Sequence, residues 1–177
     1  MESFTLIFNK LTAISTIGFV ALSVFVAYLN INKKPLPNIL KNKTLSIAVF
    51  STIAMVGSLI YSNVIGFPPC DLCWYQRICM YPIALLSEYT YFTKKVFVQS
   101  YFKVLAWTGL AIALWHTFIY YTGINPLPCS ATASCTARYV YEFGFVTIPL
   151  MSLSVFILLI LILSNKAPTD SQGPLSQ

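Results

Sequence analysis

Apolar residues fall along this chain in five long blocks of roughly 19 or more positions, at 11–29, 45–67, about 73–92, about 104–122 and 145–163. Short polar or proline-bearing stretches divide them. At about 1.5 Å per residue, a helix of that length crosses the hydrocarbon core of a bilayer. The pattern predicts an all-α, polytopic membrane protein: a four-helix transmembrane bundle over 45–163, preceded by one extra N-terminal transmembrane helix. Punctuation agrees with the division. Pro68-Pro69 ends the second block, because two successive prolines cannot both continue a helix, and Gly123 and Pro126 follow the fourth. The third block holds Arg77 and Glu88 and is the least hydrophobic of the set. Residues 1–44 divide into the first span and a basic loop, and 164–177 read as a flexible cytoplasmic tail rich in Ser, Pro and Gln. A cleaved signal peptide is the competing reading of the first block. That block exceeds the usual core of about 7–15 residues, and Tyr28-Leu29-Asn30-Ile31-Asn32-Lys33-Lys34 after it offers no small-residue cleavage site.

Composition excludes a soluble alternative. Apolar residues make up 57% of the 177 positions and charged ones only 9%, too few to clothe a globular core, and mean hydropathy is +0.73. The net charge of +6 changes the picture only through its placement. Lys33, Lys34, Lys41 and Lys43 lie between the first two spans, Lys94, Lys95 and Lys103 between the third and fourth, and Lys166 after the last. The positive-inside rule assigns that side to the cytoplasm of a bacterial cell membrane, with the N-terminus out and the C-terminus in. Nucleic-acid binding has neither a fold nor a basic face to support it.

With that orientation, Cys70 and Cys73 fall on the short outer turn before the third helix, and Cys129 and Cys135 on the outer loop 123–144. Outer compartments are where disulfides persist. Cys70-Asp71-Leu72-Cys73 is a C-x-x-C whose second thiol sits at a helix N-terminus, where the helix dipole favours a thiolate. Arg77 follows Cys73 by four residues, on the same helix face and about 6 Å deeper. A guanidinium at that depth is costly and marks a functional site, unless it snorkels to the interface. His116, about six residues below the outer end of the fourth helix, lies at matching depth and can bond a ligand carbonyl or relay a proton. It can equally be a core histidine bonded to a neighbouring carbonyl. A shared zinc site and a pair of static disulfides are the other readings of the cysteines. A C-x-x-C loop restrains too little chain to be a useful staple. Cys79, about 240° around the helix from Cys73, reads as a small hydrophobe. Glu88 reads as lying near the cytoplasmic interface, and Tyr120, Tyr121, Tyr139, Tyr141 and Phe143 as an outer aromatic belt.

The run Pro68-Pro69-Cys70-Asp71-Leu72-Cys73-Trp74-Tyr75-Gln76-Arg77 resembles the signature of the DsbB family of thiol:quinone oxidoreductases. The continuation Ile78-Cys79-Met80-Tyr81-Pro82 and the close spacing of Cys129 and Cys135 resemble its short-loop, BdbC-like branch. The resemblance covers residues 45–163 and leaves the first helix without an assigned role. It implies an enzyme that reoxidises an extracytoplasmic thioredoxin-like thiol oxidase, DsbA- or BdbD-like, and passes two electrons to a membrane quinone, ubiquinone or menaquinone. It also implies a loop disulfide, Cys129–Cys135, exchanging with Cys70 while Cys73 faces the quinone. Arg77 and His116 are then the expected quinone contacts, Arg77 stabilising negative charge on Cys73 and on the ring oxygen. No metal is expected. Two alternatives stay open: a quinone reductase like vitamin K epoxide reductase, and a scaffold whose outer disulfides are purely structural. A reducing exporter of the DsbD type needs a thiol pair open to the cytoplasm, which the predicted topology does not provide.

Overall fold

A computed structural model describes residues 2–94, 99–123 and 135–165, except the side chain of Ile39. Cys129, Lys95 and the tail from Lys166 onward lie outside the described residues. The described chain is all-α, with helices α1 (Glu2–Ile31), α2 (Lys43–Leu59), α3 (Asp71–Thr93), α4 (Gln99–Thr122) and α5 (Ile148–Ser164). A 3-10 turn, Asn38–Leu40, precedes α2, and a π-helical turn, Ile60–Val64, extends it.

Boundaries differ from the hydrophobic pattern where local chemistry intervenes. Helix α1 begins at Glu2, well before the first apolar block, since no proline or glycine interrupts its first turns. Helix α5 begins later than expected. Phe143 and Gly144 both take positive φ in a tight turn bridged between Glu142 and Val146, and Thr147 then caps the helix by accepting from Leu150 N–H. Asn42 caps α2 in the same way. In α3, Pro82 leaves the carbonyl of Ile78 without its helical donor.

Helices α2, α3, α4 and α5 pack in sequence, and α5 returns to α2, which closes a four-helix ring. Helix α1 lies outside this ring against α5. Its buried stripe is Asn9, Ala13, Thr16, Ser23, Val26 and Leu29, mostly small residues of the kind that let membrane helices approach closely. Its other face exposes Leu6, Ile7, Leu11, Ile14, Ile17 and Val24, more contiguous apolar surface than water tolerates. Among the described residues three helices, Glu2–Ile31, Lys43–Val64 and Gln99–Thr122, are long and apolar enough to cross a membrane, and Ile148–Ser164 is a shorter apolar helix. Helix α3 falls outside that group because Asp71, Arg77 and Glu88 interrupt its hydropathy. The protein is a multi-pass membrane protein.

Three contacts fix the core around the later site. Gly109 of α4 lies so close to the Phe156 ring of α5 that a Cβ there would come within 2.2 Å of a ring carbon. At the opposite end, Asn30 donates to the carbonyl of Leu161 (2.9 Å) and Lys43 to that of Asn165 (2.6 Å), tying α1 and α2 to the end of α5.

Candidate redox site where α3 begins and α4 ends

Gly66, at φ +88°, turns the chain out of the π-helical end of α2, and Pro68-Pro69 carries it extended to Cys70. Cys70 is the N-cap of α3, with φ −73° and ψ 170°, and Cys73 lies in the first turn. Both are free thiols, with their Sγ atoms 2.9 Å apart. Cys70 is 4% exposed, yet its pKa is lowered well below the ordinary thiol range. The main cause is the hydrogen bond from Cys73, which outweighs the opposing effect of burial; His116 adds a second bond and a favourable charge interaction. The stabilised thiolate is therefore Cys70, not Cys73 as expected from sequence, because Cys70 accepts from both Cys73 and His116.

His116 is 3% exposed and bridges three elements. Its Nε2 lies 3.7 Å from Cys70 Sγ and 3.3 Å from the carbonyl oxygen of Cys135, while Nδ1 lies 3.1 Å from Gln76 Nε2. An amide nitrogen only donates, so Nδ1 accepts and the ring proton sits on Nε2, aimed at the sulfur and the carbonyl. The three donor atoms of Cys70, Cys73 and His116 lie within 4.8 Å of one another, a soft set of the kind that zinc takes. In this tautomer, however, the imidazole lone pair is already committed to Gln76.

Arg77 is half-buried. Its Nε donates to Ser58 Oγ (2.9 Å) and its Nη2 to the Ser58 carbonyl (3.1 Å), and its guanidinium lies over the Trp74 ring at 5.1 Å. Below the cysteines a cavity of about 200 Å³ reaches down between the helices. Cys73, Gln76, Arg77, Met80 and Tyr81 line it from α3, a single face at i, i+3, i+4, i+7 and i+8. His116 and Tyr120 line it from α4, Ser58 and Tyr61 from α2, and Phe156 from α5. The hydroxyls of Tyr81 and Tyr120 are buried in this wall with no hydrogen-bond partner.

The structure thus brings together Cys70, Cys73, Arg77, His116 and Cys135. Cys135 is disulfide-bonded and packs with Cys70 and Ile119 in a small buried cluster, whereas Cys129 lies outside the described residues. Arg77, bonded to Ser58, still exerts the expected favourable charge interaction on Cys73, while the stabilised thiolate lies on Cys70. Cys79 is a buried free thiol in the main core, as expected of a small hydrophobe. Glu88 accepts from Thr52 Oγ1 of α2, which ties it into the α2–α3 seam. Tyr121, Tyr139, Tyr141 and Phe143 are exposed, Tyr139 also stacking on Phe67 at 4.8 Å, but Tyr120 is buried in the cavity wall. Sequence reasoning missed Gln76, Ser58, Tyr61, Tyr81 and Tyr120. Gln76 and Tyr81 were within reach, since helical spacing from Cys73 puts both on its face.

Residues 41–164 match the family described as "Disulfide bond formation protein DsbB". The chain is similar to "Disulfide bond formation protein C" of Bacillus subtilis, 39% identical over 117 residues, which cover 64% of this chain and 83% of the relative. It is 36% identical over 125 residues to "Probable disulfide formation protein C 2" of Bacillus cereus, covering 70% and 90% of the two. It is 35% identical over 133 residues to "Probable disulfide formation protein" of Oceanobacillus iheyensis, covering 71% and 92%. No solved structure matches the chain with significance. A cysteine pair capping a helix over a hydroxyl-lined cavity is thus joined to a match across most of the chain, which belongs to the DsbB family of disulfide formation proteins, among relatives of the Bacillus BdbC-like type.

Proposed function

We propose that the protein is a membrane thiol:quinone oxidoreductase that reoxidises an extracytoplasmic thioredoxin-like dithiol oxidase, DsbA- or BdbD-like, and so sustains disulfide bond formation. The observation that carries this reading is the stacking of three parts: Cys135 above, the Cys70–Cys73 pair with His116 in the middle, and the cavity with Arg77 below. In this reading α2 to α5 form the transmembrane catalytic bundle, residues 45–163, and α1 is an additional span, with the thiols outside and the C-terminus inside.

Electrons move by thiol–disulfide exchange. The reduced partner's thiolate attacks the Cys129–Cys135 disulfide; the partner leaves oxidised, and two loop thiols remain. These reduce an oxidised Cys70–Cys73 bond and re-form their own. Bound quinone supplies a two-electron, two-proton acceptor. The residues fit such a ring: the unpartnered hydroxyls of Tyr81 and Tyr120 and the remaining Arg77 N–H groups are donors for carbonyl oxygens. The reduced pair keeps its negative charge on Cys70 and a proton on Cys73 Sγ. His116 Nε2–H steadies the Cys70 thiolate by donating a hydrogen bond to it. Arg77, held by Ser58, supplies fixed positive charge where negative charge develops on reduction.

Purified protein mixed with quinone and a reduced thioredoxin-like donor is expected to form quinol catalytically. Cys73→Ser abolishes this, and Arg77→Ala slows quinol formation roughly a hundredfold while sparing donor-disulfide exchange. Turnover that survives in Cys73→Ser rejects the proposal.

A further inference from the structure

Residues 41–164 carry the family match, and α1 lies outside them. The cavity beneath the cysteines nevertheless takes one wall from α1, through Thr12, Thr16 and Phe19. Aromatic contacts hold that wall in place. Phe8 meets the Tyr61 ring edge-on at 5.0 Å and Phe19 meets Phe50 at 5.8 Å, so α1 is bound to α2 at two levels besides its packing on α5.

Proton positions give the wall a polarity. Thr12 Oγ1 donates back to the carbonyls of Phe8 and Asn9, each at 3.0 Å, and Thr16 Oγ1 donates to the carbonyl of Thr12 at 2.8 Å. The Thr16 proton is thereby spent within the helix, and the Thr12 proton has two helical carbonyls to take it. The 2.6 Å contact between Thr12 Oγ1 and Tyr61 Oη joins two hydroxyls either of which can donate, and with the threonine protons turned into the helix the proton comes from Tyr61. What remains toward the cavity is a set of oxygen lone pairs on Thr12, Thr16 and Tyr61. The cavity wall from α3 and α4 has the reverse character. Arg77 offers only donors, and Tyr81 and Tyr120 carry hydroxyls with no partner, Tyr120 at 6% exposure.

We infer that α1 is part of the ligand site, with Thr12, Thr16 and Tyr61 forming an acceptor wall that binds the hydroxyl groups of the reduced ring, the quinol. This rests on the quinone reading above. A quinone has only acceptor oxygens and draws on the donor wall; the quinol has two O–H groups and gains the acceptor wall as well. The consequence is a helix outside the family segment that sets how tightly the product is held.

The test is binding, under anaerobic conditions, of decylubiquinone, menadione and their quinols to the purified full-length protein, read by quenching of its tryptophan fluorescence. Thr12→Val with Thr16→Val keeps side-chain volume and removes both oxygens. Quinol Kd is expected to rise about tenfold, the cost of roughly one buried hydrogen bond, with quinone Kd changed much less. Thr12→Ser with Thr16→Ser, which restores the oxygens, is expected to bind quinol as the parent does, separating an oxygen contact from a packing defect. Unchanged quinol affinity in the valine variant, while Arg77→Ala weakens quinone binding, overturns the role of α1 and leaves the proposed activity standing. A parent protein that binds neither ring form overturns both.

Discussion

At the residue scale, the site is built on one decision about a proton. Gln76 donates to His116 Nδ1, which puts the imidazole proton on Nε2 and turns it toward Cys70. With the larger contribution of the hydrogen bond from Cys73, the bond from Nε2 lets Cys70 hold a thiolate at pH values where a free thiol, with pKa of about 8.5, is protonated. The sign follows directly: a lowered pKa keeps the nucleophile populated as pH falls. Iodoacetamide labelling of Cys70 in the reduced protein, followed by mass spectrometry, is expected to change little between about pH 8 and 6, where a free thiol slows roughly tenfold per unit. In His116→Leu the rate is expected to acquire part of that ordinary pH dependence, because the hydrogen bond from Cys73 remains. Gln76→Leu leaves the imidazole in place but frees its tautomer, so it is expected to fall between the two, and Gln76→Glu, which accepts rather than donates, to lie nearest His116→Leu. Equal pH profiles in all four proteins would remove Gln76 and His116 from the control of the thiolate.

At the element scale, the bundle positions its cavity by close helix approach. Gly109 lets α4 meet the Phe156 ring of α5, and that ring is itself a wall of the cavity. Gly109→Ala is expected to cost about 1–3 kcal/mol of stability through overpacking. Because the ring has to move, quinone affinity is expected to fall as well. Gly109→Ala with Phe156→Leu relieves the clash and is expected to recover most of the lost melting temperature in detergent; failure to recover it would place the strain elsewhere. The same scale shows what the sequence conveyed. Long apolar blocks located the helices, and Cys70 to Arg77 located the site, because a charged residue inside a membrane helix and a C-x-x-C at its end are both conspicuous. Ser58, Tyr61 and Thr12 were not conspicuous. Hydroxyl residues are ordinary in membrane helices, and these matter only because α2 ends in a π-helical turn and α1 lies across it, relations between segments far apart in the chain. The same limit misplaced the thiolate: Cys70 is favoured by its contact with His116, a residue 46 positions away on another helix.

At the scale of the whole molecule, the two ends of the bundle are chemically opposite. Asn30, Lys34, Lys43 and Asn165 meet at one end, where hydrogen bonds join α1, α2 and α5. The thiols and the Glu142–Val146 turn stand at the other. Basic residues resist translocation, so the lysine end is expected in the cytoplasm. Orientation decides function here, because a thiol pair in the glutathione-buffered cytoplasm is kept reduced and cannot serve as an oxidant. In a variant with the native cysteines replaced by serine, Tyr141→Cys is expected to react with a membrane-impermeant maleimide in intact cells. Tyr141 is half exposed beside the thiol end, so access is not limited by burial. Lys41→Cys, at the lysine end, is expected to react only after lysis. The reverse pattern would turn the Cys70–Cys73 pair toward a reducing pool, and the helical bundle, however well its cavity fits a quinone, would then be placed to lose oxidising equivalents rather than to deliver them.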